Sequence, residues 1–382
     1  MDALPPSLQS THNPIALFSP SLGGGGAEKV LLNLANGLLA LHGAVDVVLA
    51  QATGQYMARI PGEARLVDLG ARRTLTSIWS LARYMRERRP RAIVCFQDHA
   101  SIVALWARYL ARTRVPIVAT VHNSWSRFLS DGSAKTRLFA RCARHAYTRV
   151  ESVVAVSERT ADDLAASLNL SRELVRVIYN PVVGPELFAR SKDVVEHLWF
   201  EPNSPPVILG IGRLTRAKDF PTLLLAFALV RRQMPCRLMI LGEGEDRPTL
   251  TTLASSTGFA EDIAFPGFVE NPYKYLAHSS LFVLSSLWEG LPTVLIEALA
   301  LAVPVVSTDC ESGPREILMG GLYGKLVNPG DPIALAEAMR ETLLQKRTSV
   351  DCVQRFQQDR VTEQYRSLVD EISNSSSLPV SQ

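Results

Sequence analysis

Short apolar runs, each followed by a polar or glycine-bearing turn and then by apolar residues at helical spacing, recur along the 382-residue chain. They stand at residues 13–18, 45–50, 92–96, 116–121, 152–156 and 174–178. The rhythm restarts at 207–211 and continues at 237–241, 263–269, 281–284 and 303–310. Continuous Val, Ile and Leu without polar alternation suit strands buried on both faces, and repeated strand–helix units demand parallel sheets covered by helices. The chain is long for one core and comfortable for two. Between the two series, residues 200–206 are Pro-rich and aperiodic, which reads as a junction. The expectation is an α/β chain with an N-terminal domain at 1–190, a linker at 191–206 and a C-terminal domain at 207–355. A last helical pattern, at 361–373, follows them, and residues 374–382 are expected to be frayed.

Composition narrows the class. At 47% hydrophobic and 20% charged residues the chain is globular. No apolar run reaches the length of a membrane span, and the start, Met1 to Asn13, is polar with no signal-peptide core. The five cysteines, at 95, 142, 236, 310 and 352, lack C-x-x-C spacing; this speaks for a reducing cytosol and against a disulfide framework or zinc site. The net charge of +3 is split. Residues 1–190 carry 23 Lys+Arg against 14 Asp+Glu, and residues 191–382 carry 17 against 23. Arg83, Arg86, Arg88, Arg89 and Arg91 form one basic cluster; Arg127, Lys135, Arg137, Arg141, Arg144 and Arg149 form another. An anionic membrane surface or a lipid-linked diphosphate suits them, as do plain solvated helix faces. Without interleaved aromatics or a known motif, nucleic acid is not expected.

The chemistry sits in the turns. Gly23 to Gly26, after the first strand, open a helix whose N-terminus offers N–H donors to a phosphate; a flexible turn is the plainer alternative. The run at 45–50 ends in no acid, so this is not a dinucleotide fingerprint. His122 and Ser157 each follow a strand; the first could be structural and the second a helix cap. In the second half, Gly212 and Arg213 through Lys218 lie in one strand-to-helix turn, where two cations suit a diphosphate. Lysine is scarce, 7 of 40 basic residues, which singles out Lys218. Gly242 to Glu245 make a turn that is no D-x-D metal element, and Phe268 with Val269 close a further strand. At 285–300 a strand, a turn with Gly290 and Pro292, and a helix from Pro292 or Thr293 place Glu289 before the helix and Glu297 inside it. Alone, two Glu eight apart also fit a solvated helix face.

Glu289-x7-Glu297 with Gly290 and Pro292 inside it, following Gly212-Arg213-Leu214-x3-Lys218-Asp219, resembles retaining, nucleotide-sugar-dependent glycosyltransferases of family 4. The likeness covers nearly the whole chain, firmest from Gly212 to Asp331. It implies the GT-B fold, two Rossmann-like parallel-sheet domains facing a central cleft, with the 361–373 helix packed back on the first. It implies a catalytic set of His122, Arg213, Lys218 and Glu289. The implied donor-binding set is Gly25, Gly26, Gly212, Arg213, Lys218, Gly242, Phe268, Val269, Glu289, Gly290, Leu291, Pro292, Thr293, Val294 and Glu297. No cofactor and no metal are expected, the nucleotide-sugar being a co-substrate.

The resemblance further implies transfer of a hexose or N-acetylhexosamine, UDP-linked first and GDP-mannose second, to a glycan or polyprenyl-diphosphate-linked acceptor in surface-polysaccharide synthesis. The expected location is cytoplasmic, with a peripheral seat on the inner face of the plasma membrane through the arginine clusters. Two alternatives stay open: a nucleotide-sugar epimerase of the same fold, and a non-catalytic module that binds nucleotide-sugar. A PLP-dependent phosphorylase is disfavoured because no lysine has a Schiff-base context.

Overall fold

In a computed structural model that describes residues 13–130, 132–344 and 351–375, the apolar runs become strands. Residues 1–12 of the polar start and 376–382 of the expected frayed end lie outside the described residues. Contacts divide the chain into one unit of residues 1–181 with 358–382 and another of 182–357.

The first unit is built on β1 (Ile15–Ser19), β2 (Val45–Leu49), β3 (Arg65–Asp68), β4 (Ala92–Phe96), β5 (Ile117–Val121), β6 (Ser152–Ala155) and β7 (Val175–Val177). All are parallel, in the order 3-2-1-4-5-6-7. Side chains alternate across the sheet, so β1 sends Leu17 to one face and Ala16 and Phe18 to the other. The first face is covered by the helices Gly26–Ala40 and Gln358–Ser375, through Val30, Leu34, Leu38, Val361, Tyr365 and Val369. The second is covered by Ile78–Arg88, Asp98–Ala111 and Ala134–Tyr147. The chain's last helix thus belongs to its first unit.

The second unit carries β8 (Val207–Ile211), β9 (Arg237–Leu241), β10 (Ile263–Gly267), β11 (Leu281–Leu284), β12 (Val305–Thr308) and β13 (Lys325–Val327), again all parallel, in the order 10-9-8-11-12-13. The helices Phe220–Arg231 and Pro332–Leu343 cover Ile208, Leu238, Ile240, Val283 and Val306 with Leu223, Phe227, Leu335 and Met339. Residues 182–206, expected to divide between the first domain and a linker, are held to this unit. Asn271 Nδ2 donates to Arg190 O (2.9 Å) and Asp193 Oδ2 (2.7 Å), and Lys274 Nζ to Val194 O (2.9 Å). The unit is entered and left by neighbouring residues: the N–H groups of Val182 and Val183 both donate to Phe356 O at 3.0 Å.

Each sheet reverses its strand order once, between β1 and β4 in the first and between β8 and β11 in the second. Crossovers leave such a pair in opposite directions, so the turns at their carboxyl ends diverge and open a crevice. The turns that follow β1, β4, β8 and β11 are therefore where each unit can take a ligand.

Tyr365 is 2% exposed and fills the layer between the last helix and the first sheet. Tyr365→Ala is expected to destabilise the first unit by about 3–5 kcal/mol. Denaturant unfolding of the variant beside the wild-type chain measures it.

Candidate active site

In the second unit the carboxyl-edge turns are laced together by main-chain bonds. Gly212 N donates to Leu241 O (3.0 Å), Leu214 N to Glu243 O (2.9 Å) and Gly242 N to Gly267 O (2.8 Å). Gly242 sits at φ +139°, and a Cβ there would stand 1.9 Å from Gly212 O, so only glycine lets these two turns meet. On the other side Leu287 N donates to Ala217 O (2.8 Å), Ser285 Oγ to Lys218 O (2.7 Å) and Thr308 Oγ1 to Ser286 O (2.6 Å). The turns after β8, β9, β10, β11 and β12 form one continuous rim.

Lys218 and Glu289 meet on that rim. Lys218 Nζ lies 2.5 Å from Glu289 Oε1, with side chains 21% and 12% exposed. Ser286 Oγ donates to the same oxygen at 2.6 Å. An ammonium has three donors and a carboxylate two oxygens, so Lys218 keeps two N–H groups and Glu289 keeps Oε2 for other partners. Arg213, on the same turn as Lys218, is exposed and is not joined to either glutamate. The helix Thr293–Ala300 starts four residues after Glu289, with Gly290, Leu291 and Pro292 buried in the turn before it. Glu297 lies inside that helix and is 2% exposed. Phe268, 41% exposed, and the half-buried Val269 follow β10 on the rim's far side. Cys310 is buried after β12, and burial first, then the Glu289 charge, push its thiol up to about 12.

Sequence reasoning did not find Ser286, although it stands directly ahead of the Trp288–Glu289 step. It also missed the pairing of Arg315 with Asp309, which ties the Ser312–Gly313–Pro314 turn to the end of β12.

In the first unit, β1 runs into the turn at Gly23 to Gly26 and the helix Gly26–Ala40, with Gly25 as its N-cap. His122 follows β5, stacked on Phe96 with centroids 5.7 Å apart. Thr120 Oγ1 donates to Cys95 O (2.8 Å), which commits its one proton. Its 2.9 Å contact with His122 Nε2 must therefore be donated by the ring. His122 is the Nε2–H tautomer, and Nδ1 is left as an acceptor. Burial lowers the imidazole's pKa to about 4, so it is neutral near pH 7. Ser157 caps the helix Glu158–Leu168 by accepting from Thr160 N at 3.1 Å.

Residues that sequence reasoning missed stand beside these. Gln97, at the end of β4, holds φ +79° although it is not glycine, and its Nε2 donates to Glu28 Oε1 at 3.0 Å. Asp98 accepts from Tyr147 Oη at 2.6 Å, and burial raises its carboxyl above the usual range. Glu28 was visible in the sequence behind the glycines; a left-handed glutamine was not.

Among the described residues no three His, Cys, Asp or Glu side chains gather as a metal centre would require, and all five cysteines are free thiols. No helix of the described residues is long and apolar enough to cross a membrane.

Two family profiles divide the chain. The one described as Glycosyl transferases group 1 matches residues 197–359, and the one described as Glycosyltransferase Family 4 matches residues 24–183. The chain belongs to these glycosyltransferases.

Several relatives of this chain carry names from bacterial lipopolysaccharide and amylovoran biosynthesis. A Campylobacter jejuni protein named N-acetylgalactosamine-N,N'-diacetylbacillosaminyl-diphospho-undecaprenol 4-alpha-N-acetylgalactosaminyltransferase is 29% identical over 197 residues, 52% of each chain. Another from the same organism is named GalNAc-alpha-(1->4)-GalNAc-alpha-(1->3)-diNAcBac-PP-undecaprenol alpha-1,4-N-acetyl-D-galactosaminyltransferase. It is 25% identical over 380 residues, 94% of this chain and 99% of that one. Across a first group of relatives the glycosyltransferase spans only 28% to 61% of their length. Among solved structures, Anabaena HepE in complex with UDP has a TM-score of 0.75 at 21% identity, covering 94% of this chain and 100% of that one. The two Rossmann-like parallel-sheet units are those of the GT-B fold.

Burial of His122 has a checkable sign. An unfolded histidine takes its proton near pH 6.5 while the folded one waits until about 4, so stability falls as pH drops through that interval and levels off below it. NMR titration of the His122 ring is expected to show a midpoint near 4 with the Nε2–H tautomer above it. A midpoint near 6.5 would contradict the burial.

Proposed function

We propose that this chain is a retaining hexosyltransferase. It moves a hexose or N-acetylhexosamine from a nucleotide-sugar, UDP-linked before GDP-linked, to a glycan or polyprenyl-diphosphate-linked acceptor in surface-polysaccharide synthesis. The carrying observation is the Lys218–Glu289 pair at the switch point of the second sheet, which leaves two N–H donors on the one and an oxygen on the other. A donor with a diphosphate beside a hydroxylated sugar matches that division. The Campylobacter relatives, named for N-acetylgalactosaminyl transfer to undecaprenol-linked glycans, support the substrate class.

In this reading Arg213, Lys218 and the N–H groups around Gly290 to Val294 take the diphosphate, and protein cations balance its charge without a divalent ion. Gly212 and Gly242 keep the rim close to it. The base lies at Phe268 and Val269, and Glu297 accepts from the ribose hydroxyls. Glu289 Oε2 holds hydroxyls of the sugar, and His122, neutral with a bare Nδ1, is able to accept from a hydroxyl. The bond from the anomeric carbon to phosphate oxygen breaks with its electron pair leaving on the diphosphate. The acceptor oxygen bonds to that carbon from the same face, and its proton passes to the departing phosphate oxygen.

The location proposed is cytoplasmic, with the first unit against anionic lipid. Part of the first arginine cluster serves the fold: Arg83 pairs with Glu87, Arg88 with Asp46 and Arg91 with Asp370. Lys135, Arg137, Arg141 and Arg144 remain outward on the helix Ala134–Tyr147. They share the second face of the first sheet with Trp79 (72% exposed) and Trp106 (50%), residues suited to a lipid headgroup layer.

Incubation with UDP-sugars and membrane extract tests the reading: transfer supports it, interconversion without acceptor indicates the epimerase, and binding alone the inert module. Glu297→Ala is expected to raise donor KM at least tenfold and Lys218→Ala to lower kcat at least a hundredfold. Steady-state kinetics in which both are silent would reject the donor site. Activity is expected to persist in excess chelator, and a strict need for Mg²⁺ or Mn²⁺ would count against it.

A further inference from the structure

The turn before the helix Thr293–Ala300 is braced from outside. Its N-cap is Pro292, which supplies no side-chain cap, and Gly290, Leu291 and Pro292 are all buried. What lies against them is the backbone of another turn. A Cβ on Gly313 would stand 2.5 Å from Pro292 Cδ, 2.8 Å from Gly290 O and 3.2 Å from Leu291 Cα. Two of those atoms are main chain and the third belongs to a fixed ring, so none can swing aside. Gly313 also holds φ +88°, which side chains rarely adopt. The Ser312–Gly313–Pro314 turn therefore sits as close to residues 290–292 as two chains can, and its position sets theirs.

Two arginines tie that second turn down. Asp309 N donates to Val327 O (2.7 Å), which prolongs the pairing of β12 with β13, and Arg315 Nε donates to both Asp309 carboxylate oxygens at 3.0 Å. Beyond the turn, the helix Pro314–Ile317 is one turn long and too short to hold itself. Its last carbonyls, of Glu316 and Ile317, both accept from Arg355 Nη2, the second at 3.4 Å. Arg355 comes from the segment Asp351–Phe356, which packs on the helix Thr293–Ala300. Its guanidinium stands 4.9 Å from the ring centroid of the fully buried Phe356. A cation at a helix C-terminus is held by charge as well as by hydrogen bonds. Arg315 is half exposed and its ion pair is open to water, so the weight of the brace falls on Arg355.

We propose that Gly313 and Arg355 are positioning residues for the donor diphosphate. Gly313 seats the Gly290–Pro292 turn, and Arg355 keeps the turn of Gly313 in place. The assignment rests on the reading in which the N–H groups from Gly290 to Val294 take that diphosphate. Each residue acts through the turn and not by touching the ligand. Hydrogen bonds weaken steeply with distance and angle, so a displaced turn loses the diphosphate before it loses the nucleoside held at Phe268, Val269 and Glu297.

The test is binding of UDP, GDP, uridine and guanosine to the full chain, by calorimetry and ligand-observed NMR. Gly313→Ala is expected to raise the Kd of the nucleoside diphosphate that the wild type binds at least tenfold, with the Kd of its nucleoside within threefold. Arg355→Met is expected to show the same split at threefold or more, and Arg355→Lys, which can still donate to both carbonyls, to return within twofold of wild type. Both Arg355 variants keep a long side chain over Phe356; should Gly313→Ala not fold, they decide alone. A folded Gly313→Ala or Arg355→Met within twofold of wild type overturns the role of that residue. Equal losses for nucleoside and diphosphate overturn both roles, because they mark general damage to the unit. Arg355→Lys no better than Arg355→Met overturns the tie through the carbonyls. A wild-type chain that binds neither UDP nor GDP would sink the transferase reading and this inference with it, whereas tight wild-type binding with unaffected variants sinks the inference alone.

Discussion

A parallel sheet that grows outward from its middle in both directions leaves its two central strands without a shared roof at their carboxyl ends, and this geometry governs both units. In the second it gathers the turns after β8 and β11, and five successive turns are then fastened rim-fashion by main-chain bonds and by the hydroxyls of Ser285 and Thr308. The Lys218–Glu289 pair depends on that fastening. Ser285 ties the backbone of Lys218, and Ser286 holds the carboxylate that Lys218 meets. Two charged side chains 71 positions apart come to 2.5 Å because loops on neighbouring strands have no other freedom.

The two reversal points have the same topology and different side chains. The second unit offers Arg213 and a lysine with spare donors. The first offers Glu28, which accepts from Gln97, followed by the buried Lys29. Glycine serves both, but differently: Gly242 lets backbone approach backbone, whereas Gly25 makes room for a carboxylate.

Much of the fold was legible because buried parallel strands write themselves as unbroken apolar runs. β1, β4, β5 and β11 were all visible in this way, and all are fully buried. Two strands were not. β3, Arg65–Asp68, lies at an edge with mostly exposed side chains, and β13, Lys325–Val327, is a short edge strand that reads as part of a turn. An edge strand buries little, so its sequence has no need of an apolar run. The arginine clusters show the opposite failure. Residues three positions apart such as Arg88 and Arg91 look alike in sequence, yet one pairs with Asp46 and the other with Asp370, partners that only folding supplies. At the sites, residue types were readable where chemistry restricts them, as at Lys218 and Glu289. The left-handed backbone of Gln97 was not, since nothing in a glutamine announces it.

The neighbouring entry and exit at Val182 and Phe356 have an architectural meaning. The second unit is an insertion whose two ends are pinned to one carbonyl, and the parent domain resumes after it with the helix Gln358–Ser375. Both splice points thus fall at a single spot of the inserted module, beside the buried Val182, Val183 and Phe356. Recombination at that spot would exchange an entire half of such a protein while cutting through no strand of either sheet, a natural route by which one ancestral scaffold could acquire new specificities piecewise.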